Sequence, residues 1–397
     1  MPIIRSLLDH DLYKFTMQKA VLAYRQNVPV HYIFHDRRPR RRFNDAFRRA
    51  LAEEIEQLTA LSAAEEEIEF LQRACPFLGL QYLDYLRNYR YHADEVTFSV
   101  SDDGLLDLKI SGPWERAILW EVPLLALISE LYFVHCDTDW SHDEAEQRER
   151  SREKAEGLGQ CSFADFGTRR RRSYAAQELA VDTLRGSDSF VGTSNVHFAH
   201  RFALKPIGTM AHEWIMGISA LESLRYANRY ALRIWGDVYQ GRLGIALSDT
   251  FGTDAFFEEF DDFLSRLFDG IRHDSGDPLV FAEKAIRHYR SKGIDPRTKT
   301  IIFSDSLNPE KVREIDDALK EKVKVSFGIG TNLTNDYPGS RPLDIVIKMS
   351  ECNGVPVVKL SDEPGKQIGE RDALRVANWT FFNKLLDDTS STAATRG

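Results

Sequence analysis

Several short polar segments of this sequence combine residue types able to bind anions, hold sugars or carry a charged group. Gly208-Thr209-Met210-Ala211-His212-Glu213 leads from a short β-type run, Pro206-Ile207, into an apolar stretch with helical spacing. The backbone N–H groups of such a helix start favour a phosphate. An imidazole placed there can act as a base or as a nucleophile, with Glu213 to orient it. A capped helix carrying a surface histidine would read the same way. Arg272-His273-Asp274-Ser275-Gly276-Asp277 is denser. Arg272 could hold a carboxylate or phosphate bidentately. Asp274 and Asp277 could accept sugar hydroxyls or hold Mg²⁺ through water, and Asp277 before Pro278 is also a helix N-cap signal.

Three further segments are of the same kind. Gly328, Gly330 and Thr331 close a β-type run and offer freed amides and a hydroxyl to a phosphate. Ser304-Asp305-Ser306 places Asp305 as a sugar-hydroxyl acceptor. Asp165-Phe166-Gly167-Thr168-Arg169-Arg170 joins an aromatic able to stack on a flat ligand with Arg169 as an anion partner. Arg171 and Arg172 read as a solvated face, as does the run 37–42, for which the sequence suggests no role. Together these segments suggest a phosphorylated sugar substrate with a flat partner.

The elements that must position them form a regular series. β-rich runs at 161–163, 190–191, 206–207, 243–247, 270–271, 300–303, 323–327 and 345–347 each end in a small polar loop. Helical patterns at 175–185, 255–268, 279–291 and 309–320 lie between them. About eight such units point to a parallel, closed but irregular (β/α) barrel, whose functional loops follow the strand ends. Before it, residues 12–24, 45–73 and 80–88 have helical patterns, 28–34 a strand pattern, and 96–100 with 105–110 a hairpin turning at Asp102-Asp103-Gly104. Residues 119–134 read as a buried helix and 140–156 as a solvated one. The expected organisation is an α+β N-terminal unit over 1–135, completed by 350–380, a barrel over 136–349, and a flexible tail over 381–397.

Composition narrows the field. In 397 residues, apolar side chains make up 43% and the formal net charge is −9, so the chain can bury a large core and lacks the basic excess of nucleic-acid binders. Cys75, Cys136, Cys161 and Cys352 have no paired spacing, which fits a reducing cytosol without zinc or disulfides. The opening residues lack a signal-peptide pattern, and no membrane span is expected. Dinucleotide, P-loop, zinc-protease and serine-hydrolase motifs are missing, and the Asp-Phe-Gly lacks the other kinase motifs.

SLLDHDLYKFTMQ, SGPWERAILWEVPLLALISE, DFGTRRR, FVGTSN, GTMAHEW, RHDSGDP, FSD, SFGIGTNLT and VIKMSECNGVPVVKLSDEPGK follow one another in this order. In them the chain resembles the nicotinate phosphoribosyltransferases, most of all their bacterial branch. The resemblance implies the type II phosphoribosyltransferase fold, an irregular α/β barrel with a separate N-terminal domain. It implies ATP-dependent formation of nicotinate mononucleotide and diphosphate from nicotinate and phosphoribosyl diphosphate, with Mg²⁺, in NAD salvage. His212 matches the family's phosphorylated histidine, with Glu213 and Asp274 beside it as catalytic candidates. Tyr13, Thr209 and Arg272 match nicotinate contacts, Phe166 and Arg169 the stacking and anion positions, Asp305 a ribose carboxylate and Thr331 a phosphate contact. Lys359 and Lys366 match phosphate contacts less closely. Ser194 stands where nicotinamide phosphoribosyltransferases carry an aspartate, which favours a carboxylate substrate. The resemblance also allows a homodimer in which Tyr13 reaches a neighbour's site. Nicotinamide transfer and a non-catalytic binding protein on the same barrel are the alternatives.

Overall fold

The computed structural model describes residues 2–38, 41–141 and 143–383. Pro39 and Arg40 of the arginine run, and 384–397 of the expected tail, lie outside the described residues.

Two sheets organise the chain. The first runs β11-β10-β1-β3-β2, with β1 Pro29–Asp36, β2 Val96–Val100, β3 Leu106–Pro113, β10 Ile345–Cys352 and β11 Val355–Pro356, all neighbours antiparallel. Strand β1 alternates buried Val30, Tyr32 and Phe34 with outward residues, the period-2 pattern of a sheet with one covered face. The second sheet runs β5-β4-β9-β8-β7-β6, with β4 Phe163–Asp165, β5 Phe190–Thr193, β6 Ile245–Leu247, β7 Gly270–His273, β8 Thr300–Phe303 and β9 Lys324–Ile329. Its pairings are parallel. The helices between its strands start where the sequence supplies a cap: Ser173, Asn195, Asp261, Asp277 and Asn308 each accept from a first-turn N–H.

The barrel is irregular at its seam. Residues 206–207 form no strand and meet β5 through a single bridge, Thr193 to Pro206. On the far side the Thr209 hydroxyl donates to the Ile245 carbonyl of β6 at 3.0 Å, so a side chain closes the ring there. The run at 345–347, expected as a barrel unit, belongs instead to β10 in the first sheet, where Lys348 lies opposite Ile33. Of 350–380, the sheet takes residues up to Pro356. The rest packs on the barrel: Leu360 N donates to Thr250 O at 2.8 Å, and Phe381 of helix Arg371–Phe382 stacks on Phe251.

Other expectations need correction. The pattern at 45–73 is two helices, Asp45–Leu58 and Glu65–Ala74, and that at 255–268 is also two, Thr253–Glu259 and Asp262–Leu267. The stretch Trp114–His135 is long and apolar enough to cross a membrane by composition, but is almost wholly buried within the protein. Its helix Glu121–His135 is apolar on all sides because it is surrounded by protein. Arg171 and Arg172 are fully buried rather than solvated. Arg171 makes two 2.8 Å bonds to the buried Asp9 carboxylate. Arg172 lies 3.5 Å from the Phe133 ring centroid and is ringed further by Trp140 and Tyr337.

Candidate active site

His212 opens the helix His212–Leu221 at the barrel seam, and two carboxylates meet its Nε2: Asp249 Oδ1 at 2.8 Å and Asp274 Oδ2 at 3.5 Å. Asp249 follows β6 and Asp274 follows β7, so both sit at C-terminal strand ends, where a barrel gathers its chemistry. The other oxygen of Asp249 receives Lys359 Nζ at 3.1 Å and Ser275 Oγ at 2.7 Å. Burial pushes the Asp249 carboxyl up, but Lys359 and His212 outweigh it and hold the group well below the usual range. Burial and then Lys359 push the His212 imidazole down to about 4 against the pull of both aspartates. The arrangement is a neutral imidazole with Nε2 held by a carboxylate, a form whose other nitrogen can act as a nucleophile.

Glu213 does not orient His212. Its carboxylate is turned toward the N-terminal unit, where Lys14 Nζ at 2.6 Å, Trp114 Nε1 at 2.9 Å and the Tyr32 hydroxyl hold it. Helical geometry points residues 212 and 213 about 100° apart, so a histidine and its immediate neighbour cannot share a face. The orienting acid is Asp249. Asp249 lies in Ser248-Asp249-Thr250, the polar loop after the β-type run 243–247, and that polar strand end was the signal by which it could have been chosen.

Arg272 lies beside Asp274, Nη2 to Oδ1 at 3.7 Å, and donates to the Met210 carbonyl at 3.3 Å. Its Nε is buried without a hydrogen-bond partner among the described residues, and so is the hydroxyl of Tyr13. A ligand group at this site could satisfy both. Thr209, at the seam, is half-buried. Gly208, at φ 152°, lets the Tyr13 backbone approach: a Cβ there would lie 3.2 Å from Tyr13 N. That contact seats the helix Leu12–Tyr24 on the GTMAHE loop, as does the 2.6 Å bond from Thr16 Oγ1 to the Thr209 carbonyl.

Phe166 is half-buried and lies flat against Gly328, where any Cβ would overlap the ring. Gly328 thus serves as the bed of an aromatic, a role not visible in the sequence, and Gly330 lies under the Phe166 carbonyl. Thr331 begins the short helix Thr331–Thr334 after β9. Arg169 extends toward Glu121 at 3.4 Å and Asp11 at 3.9 Å, and its guanidinium lies 5.8 Å from the Tyr13 ring centroid of the same chain. Tyr13, Glu121, Asp11 and Asp274 surround it and hold its pKa above the ordinary range. Glu121 also receives Lys14 at 2.6 Å and Lys348 at 3.5 Å, and burial brings Lys348 down to about 8. Glu121 and Lys348 were not singled out in the sequence, because only the fold brings them to Arg169.

Asp305 pairs with Lys366 at 2.7 Å, and Ser304 donates to Asp274 at 2.8 Å. Asp277 is exposed and caps the helix Pro278–Ser291, accepting from Leu279 and Val280 N–H. Of the arginine run, Arg37 and Arg38 meet Asp344, at 3.6 and 3.8 Å, together with Arg170 at 3.1 Å. Ser194 donates to Asp11 at 2.6 Å.

His212, Asp249 and Asp274 offer ligand atoms within 4.8 Å of one another. Mg²⁺ prefers a few carboxylate oxygens plus phosphate and water. The two aspartates fit that preference; the imidazole does not.

An open-seamed parallel barrel, a carboxylate-held histidine and clustered arginines at the strand ends define a barrel enzyme that handles anionic substrates. Residues 161–385 match the nicotinate phosphoribosyltransferase (NAPRTase) family, and residues 8–129 match its N-terminal domain. A nicotinate phosphoribosyltransferase of Methanosarcina acetivorans is 46% identical over 97% of this chain and 100% of its own length. One from Chromohalobacter salexigens is 47% identical over 94% and 97%. The crystal structure of nicotinate phosphoribosyltransferase from Porphyromonas gingivalis superposes with a TM-score of 0.92 at 41% identity, covering 96% of this chain and 100% of that one. That from Vibrio cholerae gives 0.90 at 36%, covering 97% and 95%. The chain belongs to the nicotinate phosphoribosyltransferase family.

Proposed function

We propose that this enzyme joins nicotinate to phosphoribosyl diphosphate, giving nicotinate mononucleotide and diphosphate, and couples the reaction to ATP through a phosphoryl group carried on His212. The observation that carries this reading is the His212–Asp249 pair beside two buried donors, Tyr13 Oη and Arg272 Nε, that lack hydrogen-bond partners.

Nicotinate has one carboxylate and one flat ring. Arg272 would take the carboxylate, joined by Thr209 once its hydroxyl turns from the Ile245 carbonyl, and Phe166 with Tyr13 would hold the ring, so that its weakly nucleophilic nitrogen is aimed at the ribosyl C1. Departure of diphosphate leaves positive charge on the sugar and concentrates negative charge on the leaving group. Arg169 and Lys348 supply fixed cations nearby. Asp305 would accept ribose hydroxyls, with Gly330 and Thr331 at the 5-phosphate. Asp274 and Asp249 would hold Mg²⁺, which neutralises phosphate charge when bound. For the ATP step, Asp249 fixes the Nε2 proton of His212 and leaves Nδ1 to attack the γ-phosphorus, so that the bond to the bridging β-phosphate oxygen breaks and ADP leaves; water later hydrolyses the phosphohistidine to inorganic phosphate. The added charge beside Asp249 and Asp274 would then draw Lys359 toward the phosphate and tighten the donor site.

Incubation with γ-labelled ATP should give acid-labile histidine phosphate, and His212→Ala should abolish both this label and the ATP stimulation of nicotinate turnover. Unchanged labelling in that variant would refute the coupling role. Turnover of nicotinamide at a rate comparable to nicotinate would refute the substrate assignment.

A further inference from the structure

Ser194 and Asp11 belong to segments far apart in sequence, yet the backbone locks them together. Leu12 N donates to the Ser194 carbonyl at 2.8 Å, and Asp11 bridges Asn195. Ser194 Oγ lies 2.6 Å from Asp11 Oδ1, with the two residues 3% and 2% exposed. The other oxygen of Asp11 faces Arg169 Nε at 3.9 Å. Tyr13, with its unpartnered hydroxyl, completes the corner.

A hydroxyl has one hydrogen to give. While Asp11 is ionised, that hydrogen belongs to Asp11, and Ser194 can present only lone pairs to a ligand. Lone pairs suit an amide N–H and repel a carboxylate. With a proton on Asp11 the chain of bonds reverses: Asp11 O–H donates to Ser194 Oγ, and the Ser194 hydrogen turns toward the ligand. We propose that Asp11 and Ser194 form a proton-linked selector, in which nicotinate binds with Asp11 protonated and Ser194 donating to its carboxylate, whereas the uncharged carboxamide binds with Asp11 ionised. The proposal rests on the nicotinate reading above and deepens it. Asp11 acts through Ser194 and is a positioning residue. One proton is taken from solvent for each nicotinate bound, and no covalent bond changes.

The surroundings favour this exchange. Burial pushes the Asp11 carboxyl above its ordinary range, and Arg169 with the Ser194 and Thr168 hydroxyls opposes it. Glu121 adds negative charge, and Asp11 in turn raises Asp165 and Tyr13. A ligand carboxylate would be one more anion in this corner and would favour the protonated acid further.

Calorimetric titration of nicotinate into the full-length protein at pH 7.5, in two buffers of different protonation enthalpy, measures the proton directly, because nicotinate itself does not titrate there. The wild-type protein should take up a proton fraction approaching one per nicotinate, and Asp11→Asn close to none. The nicotinate KM of the wild type should rise up to about tenfold per pH unit above the Asp11 pKa of the free enzyme, until the bound-state pKa is passed, with Asp11→Asn flat over the same range. Ser194→Ala keeps the acid but cuts the link, so its preference for nicotinate over nicotinamide should fall and lose its pH dependence. That variant decides the matter if thermal unfolding shows Asp11→Asn to be misfolded. Nicotinate binding without proton uptake, or equal uptake by Asp11→Asn, would overturn the selector alone. Absence of nicotinate binding by the wild type would overturn the substrate reading and the selector with it.

Discussion

Asp249 links His212 to Lys359: one carboxylate oxygen lies 2.8 Å from the imidazole and the other 3.1 Å from the ammonium. The barrel supplies the histidine and the acid, and the segment after the first sheet supplies the cation. The three residues are 4%, 1% and 4% exposed, so solvent screens their interactions little.

Asp249→Asn should therefore slow phosphorylation of His212 by at least about 100-fold, since the imidazole loses both its fixed tautomer and its counter-charge. Single-turnover labelling with ATP reads the effect. A change under threefold would mean that Asp249 does not orient the histidine.

Glu213→Gln should behave in the opposite way. It leaves the buried Lys14 with Glu121 alone and weakens the bonds from Trp114 and Tyr32. Loss of a buried partner of this kind costs about 3–5 kcal/mol, which urea unfolding should register, while the folded variant still labels at His212.

The pH dependence of labelling follows from the imidazole at about 4. The free-base form persists down to that pH, so labelling should stay flat from pH 8 to near 5, with no limb at the ordinary histidine value of about 6.5. Lys359→Met removes a cation that holds the value down. The acid limb should then move upward in pH. A limb near 6.5 in the wild type would contradict this environment.

Stability should fall in the same acid range. Burial pushes His10 to about 3, and His197 and His212 to about 4. The unfolded chain protonates these rings near 6.5 while the folded one does not, so the unfolded state binds more protons below that pH. Each ring then removes up to about 1.4 kcal/mol per pH unit between about 6.5 and 4. Urea unfolding at pH 7 and pH 5 should show a loss of several kcal/mol.

Gly328→Ala would drive a methyl into the Phe166 ring. The expected result is a rise of at least about tenfold in nicotinate KM, reflecting the lost orientation of the ring, with His212 labelling retained.

The sequence by itself determined the strand-end loops, because each needs a polar break after a short apolar run, and these breaks are local. It also determined His212, Arg272 and Asp274 as candidates, through residue types that are costly to leave unused at a strand end. Only the tertiary structure decided which groups meet. Glu213 is adjacent to His212 in the chain and faces another unit, while Asp249, at a distance of 37 residues, holds the ring. Arg171 and Arg172 read as solvated because charge alone predicts exposure; Asp9 and an aromatic cage, both remote in sequence, bury them. The run at 345–347 has the composition of a barrel strand, and its place in the first sheet follows from pairing with β1, more than 300 residues earlier. Local sequence sets the backbone's choices over a few residues, whereas charge neutralisation and strand partnership are settled by neighbours that only the folded chain brings together.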